Sequence, residues 1–295
     1  MNIIVNLNKG SHISSHEAVT AVKKIFKVKK AGHAGTLDPL ATGMLLVCLN
    51  EATKITGYLS DLDKEYLFTL RLGETTDTYD SEGKIIRKVD SFELAAAEIS
   101  GVINRFIGDI EQTPPIYSAI KVNGSPLYKL ARQGIEVKIQ PRKVFIHSID
   151  MIDYESPLLT LKVSCSKGTY VRSLGNDIGN ALGVGAHIID LKRTRIGDFM
   201  IENSAKIDEL PGKSESLHSI DYALKHLPEV RLYDSELQRI KNGNPIREDV
   251  LISNTVRDTG MPKFLRLKDP DGKIFGIGRI SGGWIKPERL FNFCL

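Results

Sequence analysis

Polar and apolar residues alternate in several segments of the chain, and this period of two predicts strands with one buried face. Four segments show the alternation: KEYLFTLRLG (64–73), KVFIHSIDMIDY (143–154), LLTLKVSCS (158–166) and AHIIDLKRTRIGDF (186–199). Residues 3–7 predict a further short strand, and the unbroken apolar run MLLVCL (44–49) predicts a buried one. The pattern therefore favours a strand-rich chain.

Helical spacing of apolar residues follows the first predicted strand. In SSHEAVTAVKKIFKV (14–28), Val19, Val22 and Phe26 form an apolar stripe, and Ser14 and Glu17 have the spacing of a capping box. The sequence thus predicts a helix that turns its lysines outward. Further helices are expected at residues 51–60, 92–106 and 167–183.

Two segments interrupt these patterns and divide the chain. Residues 113–142 are basic, aromatic and rich in turn residues, so we expect an excursion from the core that is functional or disordered. A polar, acidic stretch (202–228) precedes short predicted strands separated by the turn signals KNGNP, DPDGK and SGG. We expect a domain at 1–228 and a small β-rich domain at 229–295.

The charge is nearly balanced overall but unevenly distributed. The 295 residues include 40 Lys and Arg against 36 Asp and Glu, yet residues 21–30 hold five lysines and no acid. Residues 116–145 are also basic, whereas 74–100 and 201–229 are net acidic. A basic face suits a polyanion such as nucleic acid, and a solvated lysine-rich helix face is the alternative for residues 21–30.

Cysteine usage and hydropathy point to a reducing, aqueous compartment. Cys48, Cys165 and Cys294 are widely spaced and form no CxxC pair, so neither a disulfide framework nor a zinc site is suggested. The N-terminus lacks the apolar stretch of a signal peptide, and no run approaches a membrane span. We expect a soluble, cytoplasmic protein without a membrane partner.

A single acid, Asp38, lies in the loop of GHAGTLDPLATGMLLVCL (32–49). The loop contains neither GxxxxGK[ST] nor GxGxxG, the two glycine patterns that bind phosphate, so a phosphate cradle is not favoured. His33 is the only other residue nearby that could bind a metal, so a metal site is not favoured either. Asp38 and Thr36 could simply cap a turn fixed by Pro39. A catalytic carboxylate here would need a fixed cation to oppose the cost of burial, and Arg172 in CSKGTYVRSLG is the candidate. An ordinary helix-surface arginine is the alternative.

Five segments in order resemble a known family. They are GHAGTLDPLATGMLLVCL, DKEYLFTLRLGETTDTYDSEG, TPPIYSAIKVNGSPLYKLARQGIEV, CSKGTYVRSLGNDIG and GAHIIDLKRTRIGDF. Together they cover residues 8–200 and resemble the TruB family of tRNA pseudouridine-55 synthases, of the bacterial, stand-alone type. The closing IKNGNPIR and GKIFGIGRI resemble that family's PUA-type RNA-binding module. The chain departs from the family at NKGSHISSH, where a Lys-Pro followed by a Gly is usual.

This resemblance implies a fold and a reaction. The fold is an α+β pseudouridine synthase fold, with a mixed, largely antiparallel central sheet flanked by helices and a C-terminal PUA-like domain. The reaction is isomerisation of one T-loop uridine (position 55) in the tRNA T-arm to pseudouridine, on a flipped-out nucleotide. The resemblance implies no cofactor, no metal and no required protein partner. The alternatives are a non-catalytic tRNA-binding or tRNA-folding module and a synthase acting on another RNA.

The resemblance also assigns roles to individual residues. Asp38 matches the catalytic carboxylate, acting on the ribose as a nucleophile or as a base. Tyr66 matches a tyrosine that stacks on the target base, although a strand aromatic is more often simply core. Substrate-pocket roles fall to His33, Tyr170 and Leu191, and Arg172 completes the catalytic set.

The basic excursion resembles the mobile thumb of the stand-alone enzymes. A stacked base must be flipped out, and basic residues on phosphates with aromatic residues under displaced bases are the usual means. The residues expected to serve this purpose are Tyr117, Lys121, Tyr128, Lys129, Arg132 and Arg142.

Overall fold

The computed structural model describes residues 1–118, 120–122, 124–135, 137, 139–249 and 263–293. For residues 121, 122, 126, 128 and 132 only the backbone is described. Cys294, one of the three cysteines of the sequence, lies outside the described residues.

The described elements alternate between strands and short helices. The strands are β1 (Ile3–Lys9), β2 (Ala31–Ala34), β3 (Thr42–Leu49), β4 (Lys64–Leu72), β5 (Glu74–Thr76), β6 (Ile85–Lys88), β7 (Gly108–Gln112), β8 (Lys121–Val122), β9 (Ser125–Pro126), β10 (Arg142–Glu155), β11 (Leu158–Cys165), β12 (Ala186–Ile196), β13 (Phe199–Met200), β14 (Leu217–Ser219), β15 (Glu229–Arg231), β16 (Ile246–Arg247), β17 (Phe264–Lys268), β18 (Ile274–Ser281) and β19 (Trp284–Leu290). The α-helices are α1 (Ser15–Ile25), α2 (Thr56–Ser60), α3 (Ala96–Asn104), α4 (Leu127–Arg132), α5 (Val171–Ala181), α6 (Ile220–Ala223) and α7 (Asp234–Lys241), with 3₁₀ turns at Asn50–Ile55, Ile201–Asn203, Ile207–Glu209 and Ser214–Ser216.

A ten-stranded sheet forms the centre of the fold. Its order is β14-β1-β3-β12-β4-β11-β10-β7, with β2 paired to β3 and β13 paired to β12. Only the β3–β12 pair within this sheet is parallel, and the other pairs are antiparallel. The predicted mixed, largely antiparallel sheet is confirmed.

Apolar residues cover one face of this sheet along most of its length and the other face at the end that contains β1, β2 and β3. In β4, side chains from Lys64 to Leu72 alternate between buried and more exposed positions, as the sequence predicted. One face packs under α1, α3 and α5, in a cluster that includes Val22, Leu70 and Leu174. The other face packs against α2, α6 and residues of β18. The sheet is therefore buried on both sides at its β1 and β3 end, whereas β4, β10 and β11 each keep one less buried face.

The helices follow the sequence most closely where local signals are strong. In α1, the Ser14 side chain accepts from the Glu17 amide and the Glu17 carboxylate accepts from the Ser14 amide, so the predicted capping box is confirmed. The predicted helix at 51–60 begins instead as a 3₁₀ turn, in which Thr53 Oγ1 donates to the Asn50 carbonyl at 2.7 Å. The predicted helix at 167–183 begins only at Val171, because Gly168 adopts a φ of 84°.

The acidic stretch from 202 to 228 is more than a linker. It contains 3₁₀ turns, α6 and β14, which pairs with β1 at the edge of the large sheet. This strand was not expected, because its pairing partner lies more than 200 residues away in the sequence.

A second, five-stranded sheet follows, in the order β15-β17-β18-β19-β16. The expectation of a small β-rich unit at the end of the chain is confirmed, with the addition of helix α7. In the DPDGK turn, Asp269 Oδ1 accepts from the Lys273 amide at 2.9 Å. None of the helices among the described residues has the length and apolarity that a membrane crossing requires.

Candidate active site

The loop that carries Asp38 connects β2 to β3 and is held from several sides. Ser15 Oγ, in α1, accepts from the Leu37 amide at 2.8 Å and donates to the Leu37 carbonyl at 2.9 Å. The Pro39 carbonyl accepts from the His12 amide at 2.8 Å, and the Asp38 carbonyl accepts from the Ala41 amide at 3.1 Å. The backbone around Asp38 is thus fixed on both sides of the carboxylate.

Lys9 joins this loop to the segment in which the chain departs from the family. The side chain is fully buried, and Nζ donates to the carbonyls of Gly10, Ile13 and Pro39 at 2.8, 2.9 and 3.3 Å. Burial lowers the pKa of Lys9 to about 8, while the Asp38 charge opposes the shift. Lys9 therefore supports the loop that carries Asp38 despite the altered sequence around it.

Arg193 holds the other end of the loop. Its guanidinium is buried in the sheet, with Nε donating to the Met44 carbonyl at 2.8 Å and Nη2 to the Gly35 carbonyl at 3.0 Å. Gly43 lies against the Arg193 backbone with a φ of 95°, and a Cβ at this position would collide with the Arg193 carbonyl. The parallel contact of β3 with β12 therefore requires glycine at residue 43.

Asp38 and Arg172 form the ion pair that the sequence suggested. Arg172 Nη2 donates to Asp38 Oδ1 at 3.2 Å, and Arg172 Nε lies 2.8 Å from Asp38 Oδ2. The Nε–H is not directed at that oxygen, so this second contact is an ion-pair contact that leaves Nε without a hydrogen-bond acceptor among the described residues. Arg172 is 5% exposed and Asp38 is 34% exposed. We expected a buried carboxylate, but the buried group is the Arg172 guanidinium. The Asp38 carboxylate keeps one side open to solvent.

Asp80 is a second carboxylate on the same guanidinium. Arg172 Nη1 lies 3.4 Å from Asp80 Oδ2, and the Asp80 side chain is 4% exposed. Asp80 also accepts from the Thr78 hydroxyl at 2.5 Å and from the Glu82 amide at 3.1 Å. Burial raises the pKa of Asp80, and the Thr78 hydrogen bond and the Arg172 charge oppose this shift. Arg172 is therefore fixed from two sides by acids.

The start of α5 attaches the excursion to the site. Gln112, at the end of β7, accepts from the Tyr170 amide at 2.7 Å and donates to the Tyr170 carbonyl at 3.1 Å. Ser173 Oγ donates to the Thr113 carbonyl at 2.9 Å, and Arg172 Nη2 donates to the Tyr117 carbonyl at 2.9 Å. The first residues of the excursion thus contact the same guanidinium that pairs with Asp38.

Tyr66 and Leu191 lie in the adjoining core. Tyr66, in β4, is 9% exposed, and its Cα partner on β12 is Arg193. Burial raises the pKa of the Tyr66 phenol, Arg193 opposes the shift and Asp38 adds to it, so the three groups are electrostatic neighbours. Leu191 is buried on β12 in the same apolar cluster.

His33 and Tyr170 are partly exposed. His33 lies on β2, and its Nδ1 is buried without a hydrogen-bond partner among the described residues. Burial lowers the pKa of His33, and Arg193 lowers it further, so the ring is neutral at physiological pH. Burial raises the pKa of the Tyr170 phenol, and the negative charge of Asp38 raises it further.

The basic residues expected in the thumb are only partly described. The excursion contains the hairpin of β8 and β9 and helix α4. Lys129 is exposed on α4, and the side chains of Lys121 and Arg132 lie outside what the structure describes. Their contact with RNA stays a prediction.

Three further residues at the site, Lys9, Asp80 and Arg193, were not singled out from the sequence. Asp80 lies in TTDTYDSEG, where the turn residues DSEG were its most visible feature. The combination of several acids with threonines in one short segment is the signal that could have drawn attention to it.

The described residues contain no group of three or more His, Cys, Asp or Glu side chains that could hold a metal ion.

The site offers one carboxylate, Asp38, that Arg172 holds in a fixed orientation. Asp38 is held by a guanidinium, faces solvent on one side and has a buried aromatic ring nearby. Such a carboxylate can act as a nucleophile or as a base on a ligand that enters from the open side.

Known protein-family models match nearly the whole chain. Residues 23–171 match the model of the TruB family pseudouridylate synthase N-terminal domain, and residues 172–225 match the tRNA pseudouridylate synthase B C-terminal domain. Residues 228–291 match the C-terminal region of pseudouridine synthase II TruB. A structure of an H/ACA RNP bound to a substrate RNA containing 2'-deoxyuridine has the same fold, with a TM-score of 0.73 at 24% identity over 98% of this chain and 85% of that chain.

Two curated relatives are similar along almost their whole length. The tRNA pseudouridine synthase B of Dechloromonas aromatica is 42% identical, over 97% of this chain and 94% of its own. The enzyme of the same name from Clostridium kluyveri is 42% identical, over 99% of this chain and 100% of its own. With the family models, these identities show that the chain belongs to the TruB family of pseudouridylate synthases.

Proposed function

We propose that this protein isomerises the T-loop uridine at position 55 of tRNA to pseudouridine, with Asp38 as the catalytic carboxylate. Membership in the TruB family makes the chain a pseudouridine synthase, an isomerase, and its relatives are tRNA enzymes by name. The observation that carries the assignment to Asp38 is its ion pair with the buried Arg172 in a loop fixed on both sides.

The reaction needs only one carboxylate. The C1'–N1 glycosidic bond breaks, a C1'–C5 bond forms, C5 loses a proton and N1 gains one, so the product has the same atoms as the substrate. Uracil leaves as a delocalised anion and needs no acid to protonate it, unlike the alkoxide of a typical glycoside. Asp38 starts this sequence by attacking the ribose or by removing a ribose proton, and Arg172 keeps its carboxylate aimed.

Tyr66 and the apolar residues near it form the base-binding part of this proposal. The raised pKa of Tyr66 keeps the phenol protonated at neutral pH, so its ring offers a neutral stacking surface with a hydroxyl that can relay the C5 proton. Leu191 closes the pocket from β12, and Tyr170 closes it from the start of α5. His33 is partly exposed on β2, so its imidazole ring could stack on an extruded base.

RNA capture is assigned to the excursion. Unstacking a base costs a few kcal/mol, and contacts between basic side chains and phosphates help to offset that cost. Lys121, Lys129 and Arg132 belong to this excursion, whose first residues touch Arg172 through the Tyr117 carbonyl. The fit of a T-arm hairpin to this surface is part of the proposal.

The test is to incubate the protein with an unmodified tRNA transcript and to map pseudouridine at nucleotide resolution. We expect product at position 55 only, and none from a transcript that carries cytidine there. Asp38→Asn should give no product, whereas the control Asp90→Asn, which changes an exposed acid outside the site, should behave like the wild type.

Other outcomes would identify the alternatives. RNA binding without any product would indicate a non-catalytic tRNA-binding or tRNA-folding module. Product at another position, or only in another RNA, would show the same chemistry with a different substrate.

A further inference from the structure

We propose that residues 23–30, the lysine segment, bind RNA phosphates outside the hairpin that carries the target uridine. The inference rests on the proposed function, because it concerns the same RNA. It assigns a second RNA-binding surface to a part of the catalytic domain that neither the site nor the excursion uses.

The lysine segment is strongly basic and exposed. It spans the last turn of α1 and the turn that follows, and its exposed lysines are Lys23, Lys24, Lys27, Lys29 and Lys30. In the described part of the chain, none of the five forms an ion pair with an acidic side chain. Five neighbouring cations without acidic partners repel one another, and a polyanion relieves that repulsion.

Only part of this charge has a structural explanation. Lys23 and Lys24 lie in the last turn of α1, where cations stabilise the helix dipole. Lys27, Lys29 and Lys30 lie beyond the helix and have no such role. Their charge is the part of the lysine segment that the fold does not require.

The backbone beneath these lysines is fixed rather than loose. The Lys27 amide donates to the Lys24 carbonyl at 3.2 Å, and the Val28 amide donates to the Lys23 carbonyl at 3.3 Å. Asn50 clamps the far end, because its amide donates to the Lys30 carbonyl at 2.9 Å and its Oδ1 accepts from the Lys30 amide at 3.3 Å. A fixed backbone reduces the entropy that this segment loses when its lysines bind phosphates.

The lysine segment lies near both the Asp38 loop and the five-stranded sheet. Lys30 directly precedes β2, so the four residues of β2, roughly 13 Å long, and loop residues 35–37 separate it from Asp38. On its other side, Asn50 leads to Glu51, whose carboxylate accepts from the Asn292 amide at 2.6 Å. The lysine segment therefore lies between the catalytic loop and the end of the five-stranded sheet.

The excursion approaches the same site from the opposite direction. It connects β7 to β10, and these strands lie at the other edge of the large sheet from β3, on which β2 pairs. RNA held by the excursion at Asp38 would reach the lysine segment only with its more distant parts. This placement favours contact with the body of a folded tRNA over contact with the target hairpin.

The test compares two RNAs and two charge-matched variants. One variant carries Lys27→Gln, Lys29→Gln and Lys30→Gln, and the control carries Lys84→Gln, Arg105→Gln and Lys206→Gln, which remove three exposed charges elsewhere. Kd is measured for full-length unmodified tRNA and for an isolated T-arm hairpin over a series of salt concentrations.

For full-length tRNA, we expect the lysine-segment variant to bind at least about fivefold more weakly and its slope of log Kd against log salt to fall by about 2 to 3. Hairpin binding and the rate of pseudouridine formation in the hairpin should stay at the wild-type values. Equal loss for both RNAs, loss for neither, or the same loss in the control variant would overturn the proposal. Absence of product from the wild-type protein with full-length tRNA would instead refute the proposed function, since the binding comparison does not depend on turnover.

Discussion

Arg172 contacts Asp80 through Nη1, at 3.4 Å, while its Nε and Nη2 edge faces Asp38. Because the guanidinium is planar and rigid, a partner on one nitrogen fixes the direction of the others. Asp80 is buried and has its own hydrogen bonds to Thr78 and Glu82, so it is the more firmly held of the two acids. The orientation of Asp38, the proposed catalytic carboxylate, therefore depends in part on an acid that does not need to touch the substrate.

Replacing this acid should impair turnover without impairing RNA binding. Asp80→Asn keeps the shape of the side chain but removes the charge beside Nη1, which also donates to the Thr78 carbonyl at 3.2 Å, so Arg172 and Asp38 should be less firmly aligned. We expect the single-turnover rate to fall about 10- to 100-fold, with a tRNA Kd close to that of the wild type. Asp90→Asn, an exposed control, should keep the wild-type rate; an unchanged rate in Asp80→Asn would show that Asp80 is only structural.

Two substitutions of Arg172 separate charge from geometry. Arg172→Lys keeps a cation but loses the planar fork, so we expect a folded protein that binds tRNA but is about 100-fold slower. Arg172→Met leaves Asp38 and Asp80 without their shared cation and should be slower still and less stable, by about 3 to 5 kcal/mol. Single-turnover rates and urea unfolding measure both effects. A lysine variant at the wild-type rate would contradict the requirement for two-point contact.

Local sequence signals predicted the parts of this fold that neighbouring residues determine. The capping box of Ser14 and Glu17 and the alternation in β4 depend only on nearby residues, and both were found. The proposal that Arg172 pairs with Asp38 came from chemical need together with family resemblance, and the structure contains the pair.

Other features depend on contacts between distant segments, which periodicity does not contain. Asp80 is buried because its segment pairs with Ile188, and the sequence alone shows an acid in a turn. Arg193 lies in an alternating strand, yet its guanidinium is buried because the carbonyls of Gly35 and Met44 accept its hydrogen bonds. Such acceptors become visible only when the strands are assembled.

The excursion should supply the salt-dependent part of T-arm binding. Replacing Lys121, Lys129 and Arg132 by Ala removes up to three phosphate contacts, so the slope of log Kd against log salt should fall by about 2 to 3. Because the excursion is assigned to the target hairpin, this loss should occur for the isolated T-arm as well as for full-length tRNA. An unchanged slope for the hairpin would show that these residues face solvent.

Lys9 should make stability depend on pH in a predictable direction. Its pKa falls from 10.5 to about 8 on folding, so between these values the unfolded state binds more protons than the native state. The Lys9 contribution to the free energy of unfolding therefore rises with pH across this range. The stability difference between wild type and Lys9→Met should shift in favour of the wild type between about pH 7 and about pH 9.5. For the exposed control Lys23→Met, the stability difference from the wild type should not vary with pH. A stability difference that is also constant for Lys9→Met would contradict a lowered pKa for the buried Lys9.

The most direct test of the account is single-turnover pseudouridine formation by Asp38→Asn on unmodified tRNA, measured together with the Kd for the same RNA. The amide preserves the size of the side chain and a hydrogen-bonding oxygen for Arg172 but lacks both nucleophilicity and basicity. The account predicts a rate lower by roughly 10⁴-fold or more, with tRNA affinity within a few-fold of the wild type. Product formation near the wild-type rate would show that another group carries out the reaction.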